Sequence, residues 1–141
     1  MSERLIVRQD HHFGTSFFAV DPHDPEADEF QQVEGLHDLT PYGMMLASLA
    51  GCTSILINSY AQNHHIPLDE VEIHLNYDRF FDDDCKDCDP QETFREQIHE
   101  EIFFHGKLTS QERQKLFQVS RQCPIHKIFE DGIQIKSKLG D

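Results

Sequence analysis

The chain has 141 residues and a net charge of −14, because its 26 aspartates and glutamates outnumber its 12 lysines and arginines. This length predicts a single domain over residues 1–141, and 38% hydrophobic residues are enough to form its core. The negative charge repels phosphate groups and therefore argues against nucleic acid as a partner. The first ten residues lack the apolar run of a signal peptide, so we expect a cytoplasmic protein.

Short strands joined by turns are predicted for the first third of the chain. Apolar residues cluster at Leu5–Arg8, at Phe17–Asp21 and at Glu29–Val33. Proline, glycine and aspartate between these clusters are typical of turns.

A long helix is predicted to begin at Pro41, with Thr40 as its N-cap, and to end before Pro67. Its apolar stripe consists of Met45, Leu49, Cys52, Ile55 and Leu56. Proline, glycine and several polar residues interrupt the surrounding charge-free run, so we expect no membrane span. Since no face of this helix is charged, we expect it to be nearly enclosed by protein.

Alternating strands are predicted in the second half of the chain. Val71–Tyr77 alternates apolar and polar residues, the pattern of a sheet with one wet face. Ile98–Phe104 continues as a strand, and Ile133, Ile135 and Leu139 predict a closing strand. The order of strands and helices favours a single α+β fold.

Two helix starts are predicted between these last strands. Thr109 and Glu112 form a capping-box pattern, and the helix they open carries Leu116, Val119 and Cys123 on one face. Cys123 also precedes a proline, as an N-cap would, and so predicts a short helix through about residue 129.

Cys52 and Cys123 are candidate site residues because each lies on the apolar face of a predicted helix. Packing of those helices would bring the thiols within disulfide range, about 7 Å between Cα atoms. At a helix N-cap, the Cys123 sulfur would face free N–H groups that stabilise a thiolate, whereas Cys52 lies mid-helix and lacks them. The alternative is a pair of inert core cysteines, because free cysteine is often buried.

Cys85 and Cys88 form a C-x-x-C motif inside an acidic stretch. The surrounding carboxylates raise thiol pKa values, which argues against a reactive redox motif. Zinc needs four ligands and the motif supplies two, so a metal site would need further ligands from a histidine or a second copy. A surface loop with two ordinary cysteines remains the other interpretation. Among the ten histidines, His126 is a candidate partner for the Cys123 thiolate, because it follows Cys123 by three residues.

Two motifs resemble the OsmC-like family of organic hydroperoxide resistance proteins. The first is the segment from Thr40 to Thr53, TPYGMMLASLAGCT, and the second is Cys123–Lys127, CPIHK. Gly106–Leu108 and the helix opened at Thr109 fit the same template, and the similarity runs from about residue 40 to residue 139. The C-x-x-C segment and Pro41-Tyr42 are most similar to the OsmC domain that is fused to α/β-hydrolases in some bacteria.

The resemblance implies antiparallel sheets around two central helices that carry the cysteines, in an intertwined homodimer. It also implies a thiol peroxidase without a cofactor. Cys52 would attack an organic hydroperoxide, Cys123 would resolve the sulfenic acid as a disulfide, and an external dithiol would reduce it. A pocket near Met44 and Met45 would bind a small hydrophobic hydroperoxide.

The sequence departs from the peroxidase members of this family at two positions. Those members have a glutamate just after the helix-initiating proline, and it orients an arginine that activates the thiolate. This chain has Tyr42 and Gly43 at the first position and His11-His12 in the loop that would carry the arginine. Arg4 and Arg8 are nearby but do not match the motif, and Arg8 and Tyr42 are candidate supporting residues. The departure favours an alternative function, a non-enzymatic dimeric binding or redox-sensing module of the same fold, for which Cys85 and Cys88 are candidate metal ligands.

Overall fold

The computed structural model describes residues 2–81 and 94–140 and has the predicted α+β architecture. Its strands form one antiparallel sheet in the order β3-β2-β1-β4-β5. They are β1 (Ser2–Asp10), β2 (Thr15–Val20), β3 (Phe30–Gln32), β4 (Leu68–Phe81) and β5 (Phe94–Gly106). The α-helices of the described ranges are α1 (Pro41–Asn63), α2 (Ser110–Ser120) and α3 (Pro124–Asp131).

The two faces of the sheet differ because side chains alternate along each strand. On β1 and β4, Leu5, Val7, Ile73 and Leu75 are buried on the face that α1 covers. Arg8, next in sequence to Val7, points to the opposite face. The core therefore lies between the sheet and α1, and α2 packs on another side of α1.

Helix α1 is only partly enclosed, which corrects the expectation that protein surrounds it. Leu46, Ala50 and Ile57 are fully buried against the core. In contrast, Met44 is 37% exposed and Ile55 is 52% exposed. The sheet, α2 and α3 each contact α1. Met44 and Ile55 lie on an uncharged face of α1 that these elements leave exposed.

A buried polar network fixes α1 against β1. The Asn58 Nδ2 donates to Gln9 Oε1 at 2.8 Å, and the Gln9 Nε2 donates to Thr15 Oγ1 at 2.9 Å. Both amide side chains are 1% exposed, so these hydrogen bonds replace those that water would make. The network sets the position of α1, and with it Cys52, over the sheet.

The chain end from Gly132 to Gly140 forms no strand, so the predicted closing strand is wrong for this chain. Ile133, Ile135 and Leu139 are 66%, 82% and 96% exposed. A strand needs a neighbouring strand to hydrogen-bond with, and none of those described in this chain pairs with the segment. The segment therefore has the alternating apolar pattern of a strand but no neighbouring strand among those described.

The capping box of α2 confirms the predicted helix start. Glu112 N–H donates to Thr109 Oγ1 at 3.1 Å, and Thr109 N–H donates to the Glu112 carboxylate at 2.9 Å. Helix α2 ends at Ser120, earlier than the predicted stripe requires. Cys123 therefore lies beyond α2, at the N-cap of α3, with Pro124 as the first residue of that helix.

Candidate functional site

The structure brings Cys52 and Cys123 together. Cys52 lies in the middle of α1 and Cys123 at the start of α3, where α3 packs on α1. The two thiols are close enough for Cys123 to raise the pKa of the Cys52 thiol. Cys123 is fully buried, whereas Cys52 is partly exposed, and neither is in a disulfide. A small reagent from solvent therefore has access to Cys52 first.

The first turn of α3 interacts with Cys52 rather than with Cys123. Cys123 occupies the N-cap, but its side chain makes no capping hydrogen bond. Ile125 N–H, in the first turn of α3, instead interacts with the Cys52 sulfur and lowers the pKa of that thiol. Such first-turn N–H groups lack partners within the helix and stabilise negative charge. The expectation that this activation would act on Cys123, and that Cys52 would lack it, is corrected.

The Cys52 thiol nevertheless has a raised pKa. Burial is the largest cause, since it penalises the thiolate, and the neighbouring Cys123 adds to it. The Ile125 N–H lowers the pKa but does not outweigh the other two causes. The resting state of Cys52 at neutral pH is the thiol.

Tyr42 packs within the protein instead of activating a cation. Its ring stacks on that of Tyr77, with centroids 4.9 Å apart. The Tyr77 hydroxyl donates to Glu96 Oε1 at 2.6 Å, and burial together with this carboxylate raises the pKa of Tyr77 to about 12. The backbone N–H of Gly43 donates to Thr40 Oγ1 at 3.0 Å and caps α1. Neither residue at this helix start carries a carboxylate.

Arg8 lies on the face of the sheet opposite to α1. Its Nε and one terminal nitrogen bind the Glu70 carboxylate at 2.6 and 3.0 Å, and Glu72 is 3.8 Å from its Nε. This bidentate pair raises the pKa of Arg8 through its hydrogen bond and charge attraction to Glu70. Within one chain, the sheet separates this guanidinium from Cys52.

A cavity of about 290 Å³ lies between α1, β5 and α3. Its apolar wall includes Met45 and Leu49, which precede Cys52 on the same stripe of α1, and Phe129 of α3. Met44 does not line it and is exposed on the uncovered face of α1. The volume is near the lower end of the range for ligand sites, about 300–1,000 Å³.

His126 lines this cavity, with its Nδ1 3.5 Å from Glu130 Oε1. Glu100 of β5 also lines this cavity. The pKa of its carboxyl is raised, because the effect of burial outweighs the attraction of His126 and Arg121. Sequence reasoning missed Glu100, although its even spacing from Ile98 and Ile102 is a signal that it faces inward.

Cys85 and Cys88 lie outside the described residues. Within residues 2–81 and 94–140, no group of three or more histidine, cysteine, aspartate or glutamate side chains is arranged to hold a metal ion.

Comparison with known proteins places these features in a family context. The family model described as OsmC-like protein matches residues 34–138, a range that includes both Cys52 and Cys123. The solved structure of an OsmC-like hydroperoxide resistance protein from Jannaschia sp. CCS1 matches with a TM-score of 0.64 and 15% identity. That match covers 99% of this chain and 94% of the other, and at this identity it is evidence of a shared fold. No curated protein gives a significant match.

Proposed function

Because this chain belongs to the OsmC-like protein family, we propose that it reduces organic hydroperoxides with the thiols of Cys52 and Cys123. The observation that carries the proposal is that Cys52 of α1 and the fully buried Cys123 at the start of α3 come together where these helices pack. A sulfenic acid formed on one sulfur would have its resolving thiol beside it. The relative from Jannaschia is described as a hydroperoxide resistance protein, which supports the same substrate class.

Cys52 is the attacking residue in this proposal, because Cys123 is fully buried and Cys52 is not. The Cys52 thiolate attacks one oxygen of the O–O bond, and the bond breaks. The second oxygen leaves as an alkoxide that takes a proton to become the alcohol, and Cys52 becomes a sulfenic acid. The Cys123 thiolate then attacks the Cys52 sulfur, and water leaves as the disulfide forms. An external dithiol, itself oxidised to a disulfide, restores both thiols.

The raised pKa of Cys52 sets the expected pH dependence. Attack requires the thiolate, and burial and Cys123 disfavour it at neutral pH. The rate of peroxide reduction should therefore increase as pH increases from neutral into the alkaline range. The Ile125 N–H lowers the pKa of Cys52 and so partly offsets the effect of burial. In this proposal it is the anion-stabilising group of the site.

A non-enzymatic dimeric redox-sensing or binding module is the second candidate function. The same raised pKa favours it, since a thiol that ionises poorly reacts slowly with peroxide. Such a module would form the Cys52–Cys123 disulfide once per oxidation event and would not turn over with a dithiol.

We further propose a homodimer in the cytoplasm. The uncovered face of α1, with Met44 and Ile55, and the exposed apolar residues at the chain end are surfaces that a second copy would bury. Among the described strands, β5 also lies at an edge of the sheet, where a second copy could approach. A reducing compartment would keep Cys52 and Cys123 as thiols between reaction cycles.

Peroxide consumption by reduced protein tests the enzyme directly. Cumene hydroperoxide and dithiothreitol are added to wild type, to Cys52→Ser and to a Cys85→Ser/Cys88→Ser control that removes the other two cysteines. Wild type and the control should consume peroxide catalytically, and Cys52→Ser should not exceed the rate without protein. Equal rates for wild type and Cys52→Ser would refute the peroxidase. Consumption of one equivalent of peroxide per protein, without further turnover, would identify the redox-sensing module.

A further inference from the structure

The cavity between α1, β5 and α3 has two kinds of wall. One is apolar and is formed by Met45, Leu49, Ile98 and Phe129. The other carries carboxylates, from Glu96 and Glu100 of β5 and Glu130 of α3. Among the described wall residues there is no lysine or arginine, and the remaining ionisable groups are His126 and Tyr77. A ligand in this cavity therefore meets a hydrophobic surface and several acidic groups.

The partners of these carboxylates in the described wall are a phenol and an imidazole. Glu96 accepts a hydrogen bond from the Tyr77 hydroxyl at 2.6 Å, and Glu130 lies 3.5 Å from the His126 imidazole. The Oε2 of Glu100 is buried and makes no hydrogen bond among the described residues. A phenol and an imidazole do not cancel the negative charge of three carboxylates.

In the described part of the chain, the guanidinium groups of Arg79 and Arg121 interact with wall residues but do not line the cavity. Arg79 is opposite Glu96 in the register of β4 and β5, and Arg121 attracts the Glu100 carboxylate. Both reduce the negative potential at the wall. A ligand head group, in contrast, would contact the carboxylates themselves, and nearby charges interact more strongly than distant ones in a partly desolvated cavity.

We infer that this cavity accepts uncharged or cationic organic molecules and discriminates against carboxylates, such as hydroperoxides of fatty acids. The inference rests on the proposed function, because it takes the cavity as the site for the organic part of the substrate. Met45, Leu49 and Cys52 share one stripe of α1. With a rise of about 1.5 Å per residue, Cys52 lies only about 4.5 Å beyond Leu49 along the helix axis.

The size of the discrimination follows from the charge of each carboxylate. For unit charges about 7 Å apart and an effective dielectric constant between about 40 and 80, each carboxylate weakens the binding of an anion about three- to eightfold. Arg79 and Arg121 oppose part of this effect. We expect octanoate to bind at least about threefold more weakly than octanol, and octylamine to bind at least as tightly as octanol.

A tryptophan reporter gives a measurement that does not depend on thiol chemistry. The chain has no tryptophan, so Phe129→Trp introduces a single fluorophore in the cavity wall. Phe103→Trp is the matched control, because Phe103 is 37% exposed and packs on His74 at the other face of the sheet. Octanol, octylamine and octanoate are titrated at pH 8 into both variants, with Cys52→Ser added so that oxidation cannot interfere. Emission should change only for the wall reporter.

Charge variants then test the cause of the binding order. Glu100→Gln and Glu130→Gln should each strengthen octanoate binding about three- to eightfold relative to octanol. Glu101→Gln, on the opposite face of β5, should leave the ratio unchanged. Equal binding of all three probes, preference for octanoate, no binding of any probe, or an equal effect of Glu101→Gln would overturn the inference. None of the probes contains a peroxide bond, so a failed binding order is distinct from a failed peroxidase assay.

Discussion

Replacing Ile125 with proline removes the backbone N–H that interacts with the Cys52 sulfur. The second residue of a helix has no intrahelical acceptor for its N–H, so this proline costs α3 no internal hydrogen bond. Hydrogen bonds to charged groups contribute about 1.5–3 kcal/mol, and Cys52 is partly exposed, so we take the lower end. A loss of about 1.4 kcal/mol raises the pKa of Cys52 further and lowers its thiolate fraction at neutral pH about tenfold.

Alkylation of Cys52 by iodoacetamide measures this change, because only the thiolate reacts appreciably. The rate is followed over pH by mass spectrometry of the peptide that contains Cys52. Ile125→Ala is the control, since it loses the same side-chain packing and keeps the N–H group. Circular dichroism verifies that both variants are folded. Identical pH profiles for the proline and alanine variants would refute the assignment of the Ile125 N–H as the anion-stabilising group.

Three further predictions concern stability and assembly. Asn58→Ala leaves Gln9 Oε1 buried without its donor and should lower the free energy of unfolding in urea by about 2–3 kcal/mol; a loss below about 1 kcal/mol would contradict the role of the network. The pKa of Glu72 is lowered, first by His74, so the stability it contributes is present above pH 4.5 and is lost as pH falls below that value. Glu72→Gln should therefore lose less stability than wild type between neutral pH and about pH 3.5 in urea titrations, and equal losses would be evidence against this contribution. Ile135→Asp should shift light-scattering mass from dimer toward monomer without unfolding the chain, and an unchanged mass would argue against a role for the chain end in the dimer.

The elements that the sequence predicted correctly are those with strong local signals. Alternation marked β4, and proline after a threonine or a capping box marked the starts of α1 and α2. These patterns depend on interactions within a few residues of the chain. The closing strand failed for the opposite reason: Ile133 and Ile135 have the strand pattern, but a strand also needs a neighbour that local sequence does not specify.

The two cysteines of the candidate site were named from the sequence, but the geometry around them was not. The motifs identified Cys52 and Cys123, and the N-cap position of Cys123 was correct. The sequence alone did not indicate that the free N–H of Ile125 would reach the other cysteine, because this depends on how α3 crosses α1. Glu100 was overlooked for the same reason, because its role depends on the residues of α1 and α3 that line the same cavity.

The central claim is that an organic hydroperoxide oxidises Cys52 and that Cys123 resolves it. Its most direct test is one equivalent of cumene hydroperoxide added to reduced protein, followed by non-reducing peptide mapping and quantification of cumyl alcohol. We predict one equivalent of the alcohol together with a disulfide that joins Cys52 to Cys123. In Cys123→Ser, a dimedone adduct on Cys52 should replace the disulfide. Intact peroxide with both thiols still reduced, or a disulfide that excludes Cys52, would contradict the claim.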